Sequence, residues 1–320
     1  MHHTTKKVRS PFRKVLFASN FCTGYEGALL AAFQFCRTNN ASLRILHVCR
    51  DFESAAGGSV RPVELSATHK GAAMQLRQMK ERAIGMGLNC TTALETGVPA
   101  ERILRAIAEE QIDLVVLGTS EPRGSKRLAF GPTAEQVMRE STCPIMTVGL
   151  VASDVMTTEE KAGPVVFATD FHSVTRKAIH LAVSYCKSAE LQLHCLHVLP
   201  RTLQSAHGDH TLPEILTCAL KHLVATTPVP IEDPVCRVTY GSEISNAVVD
   251  YVRQQRADLI FLGVRRDSIF SPDDPLPIVY RIITEAPCPV VTILCDAEAD
   301  PDSATHPGTM KSQMPTSFLQ

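Results

Sequence analysis

Several features are scarce or missing in this sequence, and each absence argues against a class of protein. The 320 residues include no tryptophan and only 5% aromatic residues, and the 32 basic residues nearly balance the 33 acidic ones. A formal net charge of -1 argues against a general nucleic-acid-binding protein, which needs a basic face. No apolar run approaches the ~20 residues of a membrane-spanning helix. We therefore expect neither nucleic acid nor a membrane among the partners.

The cysteines and the N-terminus indicate a compartment. The sequence has 11 cysteines, an odd number, and none is arranged with the C-x-x-C spacing of a zinc ribbon or a redox pair. The N-terminal segment is basic but lacks the apolar core of a signal peptide. Residues 1–11 are interpreted as a solvated basic arm. The expectation is a cytoplasmic protein with reduced, mostly buried thiols.

What the sequence does contain is an internal repeat. The segment VLFASNF at residues 15–21 recurs as VVFATDF at residues 165–171. Three more pairs follow in the same order: LHV at 46–48 and 196–198, DLVVLG and DLIFLG at 113–118 and 258–263, and CPIMTV and CPVVTI at 143–148 and 288–293. Four collinear matches predict a duplication, with one domain at 12–150 and a second at 164–296. Residues 151–163 are interpreted as a linker and residues 297–320 as a disordered tail.

Within each repeat, short apolar runs alternate with segments of helical composition. Such alternation predicts an α/β fold in which a five-stranded parallel sheet carries helices on both faces. The strands predicted for the two repeats are 15–18, 42–48, 89–95, 114–117 and 145–148, and then 165–169, 191–198, 235–239, 259–262 and 290–294. In the second repeat the second helix is expected to be short and to lie near residues 213–224.

The stretch after the fourth strand of the first repeat has the layout of an anion site. The apolar run Leu114–Leu117 ends in Gly118, a basic loop follows, and Gly131 precedes a helix that begins near Ala134. Backbone N–H groups at such a loop and at the helix N-terminus favour phosphate. Gly118 to Lys126 superficially looks like a P-loop, but it lacks both the spacing and the terminal Lys-[Ser/Thr].

Taken together, these segments resemble the universal stress protein family in its tandem form. The resemblance rests on the first strand running into ASN or ATD, the LHV strand, Gly-x-Pro before the third helix, DLxxLG, and the Cys-Pro run into the last strand. It implies two tandem Rossmann-like domains of the adenine nucleotide alpha hydrolase type. It also implies a dimer-like arrangement in which the last strands of two sheets pair antiparallel. Here Ile145–Val148 and Val290–Leu294 are apolar edge strands, so we expect the two domains to pair within the chain.

The resemblance also implies a nucleotide site. In the ATP-binding branch of the family, Gly-x2-Gly-x9-Gly-[Ser/Thr] follows the fourth strand and an Asp after the first strand meets the adenine. Gly118 and Gly131 match the first and third glycines, whereas Glu121 replaces the second and Pro132 the Ser/Thr. Asn20 stands in the place of the aspartate. The candidate nucleotide-binding residues are Ser19, Asn20, Val48, Gly118, Thr119, Gly131, Thr133 and Asp170.

The second repeat retains a different part of the motif. Asp170 and Gly263 match, but Arg266, Leu276 and Pro277 replace the remaining positions. The sequence therefore predicts at most a weak pocket for ATP or AMP in the first domain and none in the second. The function implied is a stress-response regulator or scaffold with an unidentified protein partner. The alternative is a competent ATP-binding, slowly hydrolysing protein, and further association into a homodimer stays open.

Single features allow rival interpretations that are less favoured. His207 and His210 could form half of a metal site, but a solvated loop is preferred because no other ligand is evident. His47 and His197 are expected to form local hydrogen bonds on their strands. Cys143, like Cys288, is interpreted as a small apolar residue before proline and not as a redox sensor. With no nucleophile, base and orienting residue in sight, neither an enzyme nor a resident metal is expected.

Overall fold

The computed structural model describes residues 9–21, 24–50, 62–119, 131–156, 163–172, 175–206, 211–266 and 277–295. The strands in these ranges are β1 (Lys14–Ser19), β2 (Ser42–Cys49), β3 (Cys90–Thr96), β4 (Leu114–Gly118), β5 (Ile145–Val148), β6 (Val165–Ala168), β7 (Leu193–Pro200), β8 (Val235–Gly241), β9 (Leu259–Arg265) and β10 (Val290–Cys295). The helices are α1 (Tyr25–Asn39), α2 (Pro62–Gly85), α3 (Pro99–Glu110), α4 (Pro132–Glu140), α5 (Leu150–Val155), α6 (Thr175–Ala189), α7 (Thr202–Ala206), α8 (Thr211–Ala225), α9 (Ile244–Gln255) and α10 (Ile278–Glu285).

All the strands belong to one ten-stranded sheet in the order β3-β2-β1-β4-β5-β10-β9-β6-β7-β8. Neighbouring strands within each repeat are parallel. The predicted α/β class and the five parallel strands in each repeat are therefore confirmed. The two five-stranded sheets are not separate, because they join through their last strands.

The junction is an antiparallel pair between β5 and β10. Val290 lies opposite Thr147, Val291 opposite Met146 and Thr292 opposite Ile145. The hydroxyl of Thr147 also donates a hydrogen bond of 3.2 Å to the carbonyl oxygen of Val290. The predicted pairing of the two domains within the chain is confirmed, and each apolar edge strand covers the other.

Helices cover both faces of the sheet, as alternating side chains along each strand require. On one face, strand residues such as Phe17 and Phe167 pack against α1, α2, α5, α6 and α8. On the other face, strand residues such as Leu16 and Val166 pack against α3, α4, α9 and α10. The short second helix predicted for the second repeat is present as α8, preceded by the separate turn of helix α7.

An aromatic cluster fastens the two repeats on the first of these faces. Phe12 and Phe35 from the first repeat pack with Tyr185 and Phe261 from the second. The rings of Phe35 and Tyr185 are stacked, with centroids 5.3 Å apart and planes inclined by 3°. Because all four rings are buried, the interface between repeats is continuous with the core of each.

The segment interpreted as a linker contains a helix that the sequence pattern did not predict. Helix α5 packs against α1 and α10, so it contacts both repeats. The Ser153 hydroxyl donates a hydrogen bond of 3.1 Å to the carbonyl oxygen of Gly24. A helix of 6 residues is too short to show a hydrophobic period, which explains why it was missed. Residues 157–162 lie outside the described residues.

Most residues of the two chain ends lie outside the described ranges. Only residues 9–11 of the predicted basic arm are described, and the predicted tail at 297–320 lies outside the description. Among the helices that the structure describes, none is long and apolar enough to cross a membrane.

The contact between the repeats also explains a glycine and provides a test of the interface. A Cβ atom at Gly149 would lie 2.2 Å from the carbonyl oxygen of Ile283 in α10, so only glycine fits. Gly149→Ala should therefore lower the free energy of unfolding by about 1–3 kcal/mol, as overpacking does. Urea denaturation measures this change.

The matched control is Gly71→Ala in α2. A Cβ atom there meets nothing within 4 Å, and alanine is the better helix former. We expect this control to be as stable as the wild type or slightly more stable. Equal stability of Gly149→Ala and the wild type would show that the two repeats do not approach this closely.

Candidate functional site

The strand order places a topological switch point at the carboxyl edge of the first repeat. Strand β1 lies between β2 and β4, so the chain leaves β1 in one direction and β4 in the other. Ligands of open α/β sheets bind at such a switch point, outside the carboxyl ends of the strands. Ser19 ends β1, Val48 lies near the end of β2 and Gly118 ends β4. The structure thus brings these three predicted residues to one edge.

A tight turn follows β1 and brings an aromatic ring onto a histidine. The backbone N–H of Phe21 donates a hydrogen bond of 3.2 Å to the Ser19 hydroxyl, and Phe21 has a φ of 54°. The Phe21 and His47 rings are stacked with centroids 4.1 Å apart. Such a left-handed backbone is rare for a bulky residue, so the surrounding contacts must hold it in place. The predicted residue Asn20 lies exposed within this turn.

His47 forms the local hydrogen bond that the sequence predicted. Its Nδ1 lies 2.7 Å from the carbonyl oxygen of Ser19. A carbonyl oxygen only accepts, so Nδ1 carries the proton and Nε2 is the acceptor in the neutral ring. Burial lowers the pKa of His47, with a smaller lowering from His69, while the bond to Ser19 opposes both. The ring is therefore a neutral support for the turn.

The second repeat builds the same turn after β6. Phe171 has a φ of 63°, and its backbone N–H donates a 2.9 Å hydrogen bond to the Thr169 hydroxyl. The Nδ1 atom of His197 lies 2.8 Å from the Thr169 carbonyl oxygen. Asp170 is exposed, and its carboxylate accepts a 3.0 Å hydrogen bond from the backbone N–H of His172. The predicted site residues Asn20 and Asp170 therefore lie within the same turn in the two repeats.

Phe21 and Phe171 are residues of this edge that sequence reasoning did not single out. The two phenylalanines follow Asn20 and Asp170 in the repeated segments, and each meets the histidine of an LHV segment. The signal was present, because both members of each pair recur at the same offset. What the sequence did not reveal is that they touch.

The end of β4 is closely packed against the start of α1. A Cβ atom at Gly118 would lie 3.3 Å from Cβ of Ala28, so a larger residue would push on the helix. Thr119 is buried, and its backbone N–H and hydroxyl both donate to the carbonyl oxygen of Val148, at 3.0 and 3.3 Å. The proton of its hydroxyl is thus used in a hydrogen bond to the backbone.

The start of α4 has space around Gly131 but lacks one backbone N–H, at Pro132. Gly131 lies immediately before the helix, and a Cβ atom there would meet nothing within 4 Å. Pro132 occupies the first helical position, where it removes one of the backbone N–H groups that could face an anion. Thr133 is half-buried in the first turn of the same helix.

The fourth strand differs between the two repeats at the family glycine. In the first repeat β4 ends at Gly118, which pairs with Val148. In the second repeat β9 continues past Gly263, so that Val264 pairs with Leu294. Val264 is buried in the core. The predicted end of this strand at residue 262 is thus three residues too early, because pairing with β10 extends it to Arg265.

Arg266, which stands at the second glycine position of the motif, contacts the first repeat. Its guanidinium donates to the carbonyl oxygens of Arg139 and, at 3.0 Å, Ser141. These carbonyls lie at the end of α4, where a cation is favoured by the helix dipole. In this structure the Arg266 side chain therefore serves the interface between the repeats.

Part of the predicted site lies outside the described residues. This holds for Glu121 and the basic loop residues Arg123, Lys126 and Arg127, as well as Leu276. The two histidines interpreted as part of a solvated loop, His207 and His210, also lie outside the described residues. Among the residues that are described, no group of three His, Cys, Asp or Glu side chains could hold a metal ion.

A cleft of about 410 Å³ lies at the opposite, amino edge of the first repeat. Two of its basic residues are paired within the protein: Arg44 lies 2.8 Å from the Glu110 carboxylate, and the Lys14 ammonium donates to the Glu110 carbonyl oxygen at 2.9 Å. The cleft is therefore not assigned as the functional site, which the strand order places at the other edge.

The doubly wound sheet, with its switch point between β2 and β4, belongs to the class of open α/β folds whose ligands bind outside the carboxyl ends of the strands. The model of the Universal stress protein family matches residues 11–149 and again residues 162–293. The chain therefore belongs to the universal stress protein family, and the two matches make it a tandem member.

Individual relatives agree with this assignment. The universal stress protein YxiE of Bacillus subtilis is 30% identical over 146 residues, which are 43% of this chain and 99% of the relative. Universal stress protein MJ0577 of Methanocaldococcus jannaschii is 23% identical over 153 residues, 43% of this chain and 94% of the relative. A universal stress protein structure from Archaeoglobus fulgidus covers 91% of this chain and 99% of its own, with a TM-score of 0.63 and 16% identity. This last similarity shows the fold.

The buried histidines predict a pH dependence of stability. Burial lowers the pKa of both His47 and His194, and His194 bonds Tyr251 through Nδ1 at 3.0 Å. Below the unfolded value of about 6.5, the unfolded chain takes up protons that the folded chain does not. The free energy of unfolding should therefore fall as the pH decreases below about 6.5, until the lower folded pKa values are reached.

Urea denaturation at about pH 7.5 and about pH 5.5 measures this loss. The double variant His47→Gln, His194→Gln should lose less stability on acidification than the wild type. The control is His222→Gln, whose side chain is exposed on α8 and which should follow the wild type. An acid-induced loss of equal size in the double variant would contradict the assignment.

Proposed function

We propose that this tandem universal stress protein acts as a stress-response regulator or scaffold, with at most a weak adenine-nucleotide pocket in its first repeat and none in its second. The observation that supports this proposal is the difference between the fourth strands. Strand β4 ends at Gly118, where a loop to the helix N-terminus can begin, whereas β9 runs on to Arg265. Because β9 stays extended beside β10 beyond Gly263, the chain does not turn there into a loop that could bring its N–H groups around a phosphate.

Several features of the first repeat support a residual pocket. The position before α4 is open at Gly131, and the helix N-terminus behind it favours an anion. Val48 is half-buried beside the turn that carries Asn20, at the same edge as Gly118. In the sequence, Arg123, Lys126 and Arg127 add positive charge between the two glycines.

Three substitutions weaken this pocket relative to the ATP-binding branch. Pro132 removes a backbone donor and a hydroxyl at the start of α4. A hydrogen bond to a charged group contributes roughly 1.5–3 kcal/mol, so each lost contact costs about tenfold to a hundredfold in affinity. Glu121 adds a carboxylate that repels a polyphosphate. Asn20 lacks the charge of the aspartate, and its amide presents a donor as well as an acceptor.

This balance favours a ligand with few phosphates. AMP carries less negative charge than ATP, so repulsion by Glu121 and the missing donor at Pro132 should weaken it less. The regulator or scaffold role then depends on the protein surface and its partner more than on nucleotide turnover. We propose no catalytic role, because the Nδ1 of His47 is committed to the Ser19 carbonyl and the Thr119 hydroxyl to that of Val148.

The second repeat lacks more of the pocket. Asp170 is exposed and could contact a base, but its carboxylate already accepts the His172 N–H. Pro277 precedes α10 with no N–H to donate, and it is buried. Asp273 and Asp274 in the intervening sequence add negative charge. These features support an empty second site.

Calorimetry on the full chain tests the nucleotide part of this proposal. The wild type should bind ATP weakly or not at all. Its affinity for AMP should be reduced less than its affinity for ATP. The double variant Glu121→Gly, Pro132→Ser should bind ATP at least about tenfold more tightly, because it restores one donor and removes one repulsive charge. Micromolar ATP binding by the wild type, or no gain in the variant, would contradict the weakened pocket.

The matched control is the corresponding change in the second repeat, Leu276→Gly with Pro277→Ser. Because β9 continues past Gly263, these substitutions should not create binding. Release of phosphate from ATP in proportion to the wild-type protein would favour the alternative, a competent ATP-binding and slowly hydrolysing protein.

A further inference from the structure

Two cysteines in the second repeat lie side by side on neighbouring strands. Cys195 of β7 and Cys236 of β8 are register partners in this parallel pair. Neighbouring strands are about 4.8 Å apart, and disulfides join residues whose Cα atoms are about 4.4–6.8 Å apart. The backbone therefore already holds the two positions at a separation that a disulfide can span.

Both side chains point to the same face of the sheet. Cys195 is fully buried in the core that includes α6 and α8, and Cys236 packs against that core while remaining partly accessible. The register places the two thiols next to each other, so that each shifts the pKa of the other. The Cys236 sulfur is therefore accessible to a small reagent, and the Cys195 sulfur lies next to it in the core.

The local charges make one thiol of the pair the nucleophile. The neighbouring thiol of Cys195 lowers the pKa of Cys236, burial opposes this lowering, and the ammonium of Lys221 on α8 adds to it. The neighbouring thiol of Cys236 and burial raise the pKa of Cys195. Thiolate character and access together decide which cysteine reacts with an oxidant. Both conditions select Cys236.

We propose that Cys195 and Cys236 form a dithiol that a peroxide oxidises to an intramolecular disulfide, with Cys236 as the attacking thiol. No motif in the sequence indicates this pair, because the two residues are far apart in the chain and lack C-x-x-C spacing. The proposal is independent of nucleotide binding, since the pair lies within the core and not at the carboxyl edge.

The reaction balances with hydrogen peroxide as the oxidant. The Cys236 thiolate attacks one peroxide oxygen, the O–O bond breaks, and hydroxide leaves and takes up the proton released by the thiol. This forms a sulfenic acid at Cys236 and one water. Cys195 then attacks that sulfur, the S–O bond breaks, and a second water leaves. Two thiols and one peroxide thus give one disulfide and two waters.

The disulfide would act on the edge of the ten-stranded sheet. Strand β8 is the last strand and pairs only with β7. The bond would tie it covalently to its neighbour and close a loop that contains α7 and α8. Closing such a loop restricts the unfolded chain, so the oxidised protein should resist local opening of this edge.

Other thiols of the structure lack this combination. Cys36 and Cys90 are both buried, with pKa values raised by burial, and they lie on a helix and a strand and not in register. Cys218 is exposed on α8. Cys186 of α6 is buried near Cys195, and it is the competing partner that the experiment must distinguish.

The experiment treats the reduced full chain with a small excess of hydrogen peroxide, blocks free thiols with a maleimide under denaturing conditions, and maps peptides by mass spectrometry. We expect two fewer blocked cysteines than the 11 of the reduced chain, and one peptide pair that links Cys195 to Cys236. Reduction with dithiothreitol should restore all of them. A dominant link to Cys186, links between chains, or overoxidation of Cys236 without a link would overturn the proposal.

Three single variants separate the roles. Cys236→Ser should slow the peroxide-dependent loss of thiols at least about tenfold, because Cys195 is buried. In Cys195→Ser the oxidation should stop at a sulfenic acid on Cys236, which dimedone traps, and this also shows that the variant is folded and reactive. Cys218→Ser should form the wild-type disulfide. No trapped sulfenic acid in Cys195→Ser would contradict Cys236 as the attacking thiol.

Discussion

The structure depends on the antiparallel pairing of the last strands of the two repeats. Alone, each repeat would present an apolar edge at β5 or β10, and such edges promote aggregation. Their pairing turns two five-stranded sheets into one. The aromatic cluster around Phe12 and Tyr185 and the contact of Gly149 with α10 then pack around this junction. Each repeat thus supplies part of the other's core, and the two should unfold together.

The two repeats preserve different features of their common plan. The turn after the first strand is nearly identical in both, with a histidine bonded to the carbonyl of Ser19 or Thr169. The fourth strands differ, because β9 gains pairs with β10 beyond the family glycine. One residue that replaces the motif in the second repeat makes a contact with the first repeat: Arg266 donates to the Ser141 carbonyl oxygen at the end of α4. The two repeats therefore share their packing while their chains diverge after the fourth strand.

Much of the fold could be predicted from sequence, because buried parallel strands appear as short apolar runs and the repeat supplies each signal twice. The extension of β9 could not, since the residues that precede Gly263 match those that precede Gly118, and it is pairing with β10 that carries the strand on to Arg265. The stacking of Phe21 on His47 depends on a left-handed backbone conformation at Phe21, which the residue type does not predict. Val48 and Gly118 were placed at the same edge by topology alone, whereas the occupied hydroxyl of Thr119 required coordinates.

Antiparallel pairing at the centre of an otherwise parallel sheet also fixes the directions in which the two repeats face. The strands of the first repeat all run one way and those of the second run the opposite way. Their carboxyl edges therefore open on opposite sides of the molecule. Arg266 illustrates this, because it follows the carboxyl end of β9 and yet meets Ser141, which precedes the amino end of β5. The carboxyl edge of each repeat consequently lies beside the amino edge of the other, so the two carboxyl edges do not share one opening.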